Sequence, residues 1–405
     1  MINKVLFFAF LLLLPIQLGK HFFFSFSYLS GVRVDYLAPT VYLTDIIVFL
    51  LIIFNYKIVL KFFQNKKVLL SLSLLLINVL FSRLPIISFY WLIKIIEFLA
   101  VFSLAKTMIK VLKEKSILIA LLVSGLFQLF LVTIQLVNKH SVQGVFYYFG
   151  ERLLALSTPG VAKASFQGLE FLRPYGTFSH PNSLAGFFLL LYFFVLTKSD
   201  LVLTYKKFNR YLVLKYLFLL VTTILVFISF SKVAIITYLI LNVFYLTMSS
   251  GKIKCLICKI ARITIILVIS LVFLQVTTDP ETIGKRIELI KNSIIIISRY
   301  PIQGVGLGSY LIAQTKFSSA YYLFYNQPVH NIFLLFFSEI GLIIGGLIFV
   351  FSLKIIKRFI RANSYVFLAL FLTGTFDHYW LTLQQNFLLA GLVMGAILSQ
   401  SLSAD

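Results

Sequence analysis

The chain has 405 residues, of which 60% are hydrophobic and only 12% charged. A soluble domain carries about a quarter of its residues charged, so this composition excludes a soluble fold and indicates a polytopic membrane protein. The net charge of +23 does not point to nucleic acid, because the basic residues fall in short clusters between apolar runs, as topology signals do.

A bilayer crossing needs about 20 apolar residues, somewhat fewer where the helix is short. On that basis the sequence predicts an all-α, polytopic integral membrane protein of about twelve transmembrane helices, forming one membrane domain over 1–405. The expected spans are 3–18, 43–60, 68–82, 88–106, 117–137, 181–197, 215–230, 232–248, 263–277, 330–352, 364–379 and 381–400. The nearly unbroken run 215–248 divides at Ser229-Phe230-Ser231-Lys232, and 364–400 divides at Asp377-His378. Lys4 and the apolar stretch after it resemble a secretory signal, but no Ala-x-Ala-like site follows, so an uncleaved first span is expected.

Charge asymmetry orients the spans. With the N-terminus inside, clusters such as Lys57, Lys61, Lys66 and Lys67, or Lys354, Lys357, Arg358 and Arg361, fall on the cytoplasmic side. This positive-inside excess predicts cytoplasmic N- and C-termini in a plasma (inner) membrane. Two long connections, 138–180 and 278–329, then face outward and form the expected working face. They are richer in Arg, His, Asn, Gly and Pro than the Lys-dominated inner loops, and loops of that length in a compact fold are usually functional or disordered.

Several polar features have plain explanations. Cys255 and Cys258 form a Cys-x-x-Cys without the further ligands a zinc site needs, and read as two interfacial thiols. Gly304-Val-Gly-Leu-Gly308 has Ser309 where a dinucleotide fingerprint needs its third glycine; it is either a turn or a loop whose N–H groups approach a phosphate. Gly341-x-x-x-Gly345 and Gly391-x-x-x-Gly395 read as close helix packing. Lys94 and Glu97, three apart within a span, can neutralise one another on one helix face. Lys232 has no acid beside it in sequence, and either snorkels to the interface or points at an anionic group.

The polar residues that carry chemistry gather outside. Arg173-Pro-Tyr-Gly-Thr-Phe-Ser-His-Pro-Asn182 puts a cation, a tight turn, His180 and Asn182 just before an apolar helix. Arg286 and Arg299 lie in the second outer connection, and His330-Asn331 opens the apolar helix 330–352 that follows it. Arginine's planar fork grips phosphate oxygens and stays charged, while histidine titrates near neutrality and can take a proton from a hydroxyl. Together these groups suit a lipid pyrophosphate leaving group and a sugar hydroxyl that displaces it. No pair of outer acids has the spacing a glycosidase mechanism requires. Asp377-His378-Tyr379 either orients a histidine or caps the outer turn between the last two spans.

These motifs, with Ser229-x-Ser231-Lys232 and Tyr300-Pro-Ile-Gln-Gly-Val-Gly-Leu-Gly308 leading to His330-Asn331, resemble the O-antigen ligase and polymerase family of bacterial membrane glycosyltransferases. The resemblance implies a GT-C-like membrane fold and transfer of a glycan from an undecaprenyl-pyrophosphate carrier at the outer face of the plasma membrane. It also implies a glycan, lipid-core or protein acceptor, and no metal, cofactor or nucleic acid. By it, His330 matches the acceptor-activating base, and Arg173 and Arg286 match the arginines that hold the pyrophosphate. Lys232, His180, Asn182, Arg299, Asn331, Asp377 and His378 are the further substrate-binding candidates. One departure is visible: the family usually has Ser-x-Ser-Arg where this chain has Lys232, and lysine lacks the bidentate fork. The rival classes are a flippase for lipid-linked oligosaccharide and a non-catalytic assembly partner; a flippase calls for charge along a translocation path rather than at one outer face.

Overall fold

The computed structural model describes residues 1–197, 210–248, 256–276, 282–317 and 326–401. Its helices are α1 (Ile2–Leu13), α2 (Leu43–Phe54), α3 (Tyr56–Phe63), α4 (Lys66–Leu80), α5 (Pro85–Asn138), α6 (Pro181–Leu196), α7 (Arg210–Ile228) and α8 (Lys232–Met248). They continue with α9 (Leu256–Leu274), α10 (Thr282–Arg299), α11 (Tyr310–Gln314), α12 (Ile332–Ile340), α13 (Leu342–Ala362), α14 (Ser364–Phe376), α15 (Tyr379–Thr382) and α16 (Gln384–Ser401). Among the described residues α5 and α7 are long and apolar enough to cross a membrane, and up to four crossings arise if each bent pair, α2–α3 and α12–α13, is one span. The shorter α1, α6, α8 and α14 are apolar as well. The protein is a mostly helical membrane protein.

The expected spans 88–106 and 117–137 both lie in α5. Fifty-four residues of unbroken helix would run about 81 Å, far beyond a hydrocarbon core of about 30 Å. The helix instead breaks at Lys113, whose φ of 60° and ψ of 154° leave the helical region within the Lys110–Lys115 charge cluster.

The single helix expected over 330–352 is corrected. The chain turns through 117° between α12 and α13, at Gly341, whose φ is +83°. The bend packs against the glycine-rich loop so closely that a Cβ on Gly341 would stand 2.5 Å from the Ile302 carbonyl oxygen and the Gly304 nitrogen. Gly341 is therefore a hinge in the backbone, not a helix-packing residue as the small-residue spacing implied. Gly391 and Gly395 do bring α16 against the Phe98 and Phe102 carbonyls of α5.

The connections between helices include a few short strands, so the fold is mostly helical and not strictly all-α. A hairpin pairs β5 (Lys163–Phe166) with β6 (Leu169–Leu172) in the first long connection. Ahead of α2, β1 (Gly19–His21) pairs with β4 (Thr40–Tyr42) and β2 (Tyr28–Leu29) with β3 (Val32–Arg33), all antiparallel. This 14–42 stretch is a further structured connection, beyond the two long ones expected. Cys255 and the side chain of Cys258 lie outside the described residues.

At the centre stands α6. Every residue from Ser183 to Val195 is buried, which fits a helix that is apolar all round. Its Phe187, Phe188 and Phe193 join the main core with Phe218 and Val221 of α7, Ala369 of α14 and Leu388 and Leu389 of α16. A Pro at its first turn and His180 as its N-cap fix where it starts. The most buried helix of the bundle therefore carries the polar motif at its N-terminal end.

Candidate active site

The Arg173–Asn182 turn is held from below by two glutamines. Gln128 and Gln135 lie two turns apart on one face of α5. The Gln135 Oε1 accepts from Tyr175 N–H at 3.0 Å and Gly176 N–H at 2.8 Å. Gln128 accepts from Thr177 N–H at 3.1 Å, and its amide donates to the Thr177 hydroxyl at 2.7 Å. The three side chains and three backbone N–H groups in these bonds belong to buried residues, so each bond also prevents an unsatisfied polar group in the bundle. Neither glutamine was legible as a site residue, since each sits in an apolar run.

This platform sets Arg173, which is 7% exposed. Its Nε donates to the Ser229 carbonyl at 3.0 Å and its Nη2 to Asn182 Oδ1 at 2.7 Å. The Ser-x-Ser-Lys motif thus contributes a carbonyl to Arg173, while Lys232 itself is exposed at the start of α8. Asn182 passes the contact on: its Nδ2 donates to Asp377 Oδ2 at 2.8 Å. Asp377 Oδ1 accepts from His378 N–H at 2.8 Å. A chain of hydrogen bonds therefore runs from Arg173 through Asn182 to Asp377, joining the α6 start to the α14–α15 junction. Tyr379 seats that junction, its hydroxyl 2.2 Å from where a Cβ on Gly186 of α6 would be.

Around Asp377 three imidazoles collect. His330, Asp377 and His378 each offer a ligand-type atom, all within 4.8 Å of one another. The His330 and His378 rings meet edge to face at 5.2 Å, and Tyr36 closes on His378 from the other side at 5.6 Å. His180 Nδ1 accepts from Asn182 N–H at 3.1 Å, which assigns its proton to Nε2. Tyr36 comes from the overlooked 14–42 stretch, whose Leu29, Val34 and Leu37 pack with Leu289 and Ile296 of α10, Tyr310 of α11 and Val329 beside His330. Nearby, Arg152 pairs with Asp35 at 3.2 Å.

Electrostatics follow from this enclosure. Burial, reinforced by Arg286 and His378, pushes His330 down to about 3 even though Asp377 pulls it up. Burial and then Arg173 push His180 down to about 3, and burial lowers His378 against the pull of Asp377. Asp377 has the opposite balance: burial would raise it, but the histidines and Arg286 hold it below the usual carboxylate range. Burial lowers Arg173 to about 10, so it stays charged at neutral pH. The site thus holds neutral imidazoles, one carboxylate and two arginines. Neither Arg173 nor Arg286 makes an ion pair among the described residues, and the buried Nε of Arg286 has no hydrogen-bond partner.

Not every candidate joins. Arg299 ends α10, thirteen residues or about 20 Å along the helix from Arg286, and lies over the Phe317 ring at 5.5 Å. Asn331 caps α12, accepting from Phe333 and Leu334 N–H at 2.9 Å and donating to the Thr375 carbonyl at 2.9 Å. The glycine-rich loop is occupied by protein: Gly306 N–H reaches the Glu339 carbonyl at 2.9 Å, and Leu307 N–H reaches Asn78 at 3.0 Å. It is a turn packed on the α12–α13 bend. Lys94 pairs with Asp45 as well as with Glu97 at 3.5 Å, and Gln384 bonds both acids.

A helical membrane protein with a cluster of histidine, aspartate and arginine where its helices begin and end is the class that fold and site define. Residues 217–351 match the family described as O-antigen ligase. The match takes in Lys232, Arg286, the glycine-rich loop and His330, and leaves Arg173–Asn182 and Asp377–His378 outside it. No curated protein matches the chain. The family supports an enzyme of O-antigen-ligase type, acting in glycan transfer at a membrane on a lipid-linked glycan.

Proposed function

We propose that the protein transfers a glycan from an undecaprenyl-pyrophosphate carrier to an acceptor hydroxyl at the outer face of the plasma membrane, as a surface-polysaccharide polymerase or ligase. The observation that supports it most is the convergence of His330, Asp377 and His378, with ligand-type atoms within 4.8 Å, under the charge of Arg286 and beside the Asn182 link to Arg173. A twelve-span, GT-C-like layout with both termini cytoplasmic belongs to the same reading.

In this mechanism the acceptor hydroxyl attacks the anomeric carbon of the donor's first sugar. The new carbon–oxygen bond forms as the bond to the pyrophosphate oxygen breaks, and the carrier pyrophosphate leaves with the electron pair. His330 takes the hydroxyl proton, and its partial exposure leaves it within reach of a substrate. Asp377 stabilises the imidazolium that results, and Arg173 and Arg286 stabilise the departing charge. Lys232 meets the donor's phosphates from the exposed start of α8. Pyrophosphate is already a good leaving group, so positioning and charge stabilisation carry most of the catalysis. The reading involves no resident metal. The buried cation Lys94 pairs with both Asp45 and Glu97, so its charge is met by protein and not held open for an anionic cargo.

The test is glycan transfer by the purified protein in lipid, using a defined undecaprenyl-pyrophosphate oligosaccharide, with His330→Ala alongside. Lipid-linked oligomers made by wild type and lost in the variant establish a polymerase; transfer only after a lipid-core or protein acceptor is added establishes a ligase. A donor left intact under every acceptor condition overturns the proposal.

A further inference from the structure

We propose that His330, Asp377 and His378 form a binding site for one divalent transition-metal ion of the zinc type, and that its occupation blocks the site. The donors come from two places in the chain, the residue before the α12 cap and the α14–α15 junction, and their ligand-type atoms already lie within 4.8 Å of one another. Zinc held at about 2.0–2.1 Å in a tetrahedron sets its ligands about 3.3 Å apart. The cluster therefore closes on an ion by shifts of about 1.5 Å or less, which rotation about the side-chain torsions supplies. Two imidazoles and one carboxylate are a donor set that zinc accepts with a fourth position left to water; calcium and magnesium prefer oxygen ligands throughout.

The surroundings also fit a ligating set. With the His378 proton on Nδ1, the ring donates to the Thr382 hydroxyl at 2.7 Å while that hydroxyl donates to the His378 carbonyl at 3.2 Å. Nε2 of His378 then carries the lone pair. A metal-bound imidazole is commonly oriented this way, by a hydrogen bond from its other nitrogen. Each Asp377 oxygen accepts one N–H, from Asn182 or from His378, and keeps a further lone pair. Tyr36 and His330 flank the His378 ring and restrict its orientation. Arg173 and Arg286 oppose a dication, so the site is selective by ligand type without being among the tightest.

That occupation blocks transfer rests on the proposed function, because the ion takes the imidazole assigned as base; the binding itself does not. The experiment is calorimetric titration of zinc into the full-length, tag-free protein in lipid nanodiscs, in parallel with His378→Ala, Asp377→Asn and Thr382→Val. One saturable zinc per chain is expected, weakened about tenfold to a hundredfold in Thr382→Val and abolished in the first two, with each variant's melting curve reporting its fold. No saturable binding to wild type, or undiminished binding to folded His378→Ala and Asp377→Asn, overturns the site. Where wild type transfers glycan, zinc must inhibit it and a chelator must restore it; zinc bound without inhibition overturns the block. Zinc bound to a wild type that transfers no glycan supports the site while counting against the proposed function.

Discussion

Arg173 and Asp377 share one hydrogen-bonded chain but do not touch: Asn182 stands between them, accepting from the guanidinium at 2.7 Å and donating to the carboxylate at 2.8 Å. A neutral amide there keeps the cation and the anion from neutralising one another. Arg173 retains its charge for a phosphate, and Asp377 retains its charge for the histidines. The amide's two ends are fixed by its partners, since guanidinium only donates and carboxylate only accepts.

Replacing that spacer should therefore uncouple the two halves. In Asn182→Asp the new carboxylate pairs with Arg173 and repels Asp377. We expect kcat/KM for glycan transfer to fall about tenfold to a hundredfold, corresponding to about 1.4–2.7 kcal/mol, with the melting temperature less affected than in Asn182→Leu. Asn182→Asp with wild-type transfer kinetics would remove the spacer role.

His330→Ala should lower kcat by about 10²–10⁴, the usual range for a positioned general base, with a smaller change in donor KM. His378→Ala should cost less, because that ring supports His330 and Asp377 without taking the proton in the proposed step. Single-turnover transfer with the two variants side by side reads this difference, and an equal loss in both would make the histidines interchangeable.

Arginine's fork is the feature the proposed phosphate grip needs. Arg286→Lys keeps charge and loses bidentate geometry, so donor affinity should fall by about 1–2 kcal/mol, within the range of hydrogen bonds to charged groups. Arg173→Lys should lose more, because it also abandons the Ser229 carbonyl. Donor-binding titrations on the two variants, with Lys232→Arg for comparison, check the order; Lys232→Arg, which restores the family's usual residue, should not weaken binding.

Much of this site could be read from residue order alone, and what could not has physical causes. Arg173, His180, Asn182 and His330 stand out because polar residues are rare in this chain; the last three sit at helix starts and Arg173 in the turn that leads to one. The 330–352 run conceals its bend because hydropathy is blind to φ: one glycine does not interrupt an apolar run, yet Gly341 sits at +83°. Tyr36 reaches His378 only through packing of the 14–42 stretch on α10, a contact between residues far apart in sequence. Arg299 shares a loop with Arg286 in sequence, but α10 carries it about 20 Å away. Lys94 does pair with Glu97 on its own helix, and its second partner, Asp45, comes from α2, which residue order alone does not reveal.

The bend itself is testable. Gly341→Ala puts a Cβ within 2.5 Å of the Ile302 and Gly304 backbone at a positive φ, for a cost of about 1–3 kcal/mol. Because α12 begins next to His330, the variant should lose transfer activity as well as thermal stability, whereas Gly346→Ala, in open space on α13, should lose neither. Thermal unfolding and transfer rates on the pair decide it, and a Gly341→Ala protein as stable as wild type would mean that the bend relaxes without cost.

Acid should act on this protein through its enclosed histidines. His330 and His180 are pushed down to about 3, below the ordinary value of about 6.5. Between those values the unfolded chain binds protons that the folded one refuses, so stability rises with pH across the window. It is therefore complete above about pH 6.5 and declines progressively as pH falls towards 3. The same enclosure keeps His330 neutral in the free protein, so the acid limb of kcat/KM should lie well below 6.5. Removing the one group that raises His330, in Asp377→Asn, should move that limb lower still. Melting curves and kcat/KM from pH 4 to 8 read both effects; an acid limb at 6.5, or one that Asp377→Asn moves upward, would mean that His330 is not the group whose protonation stops the reaction.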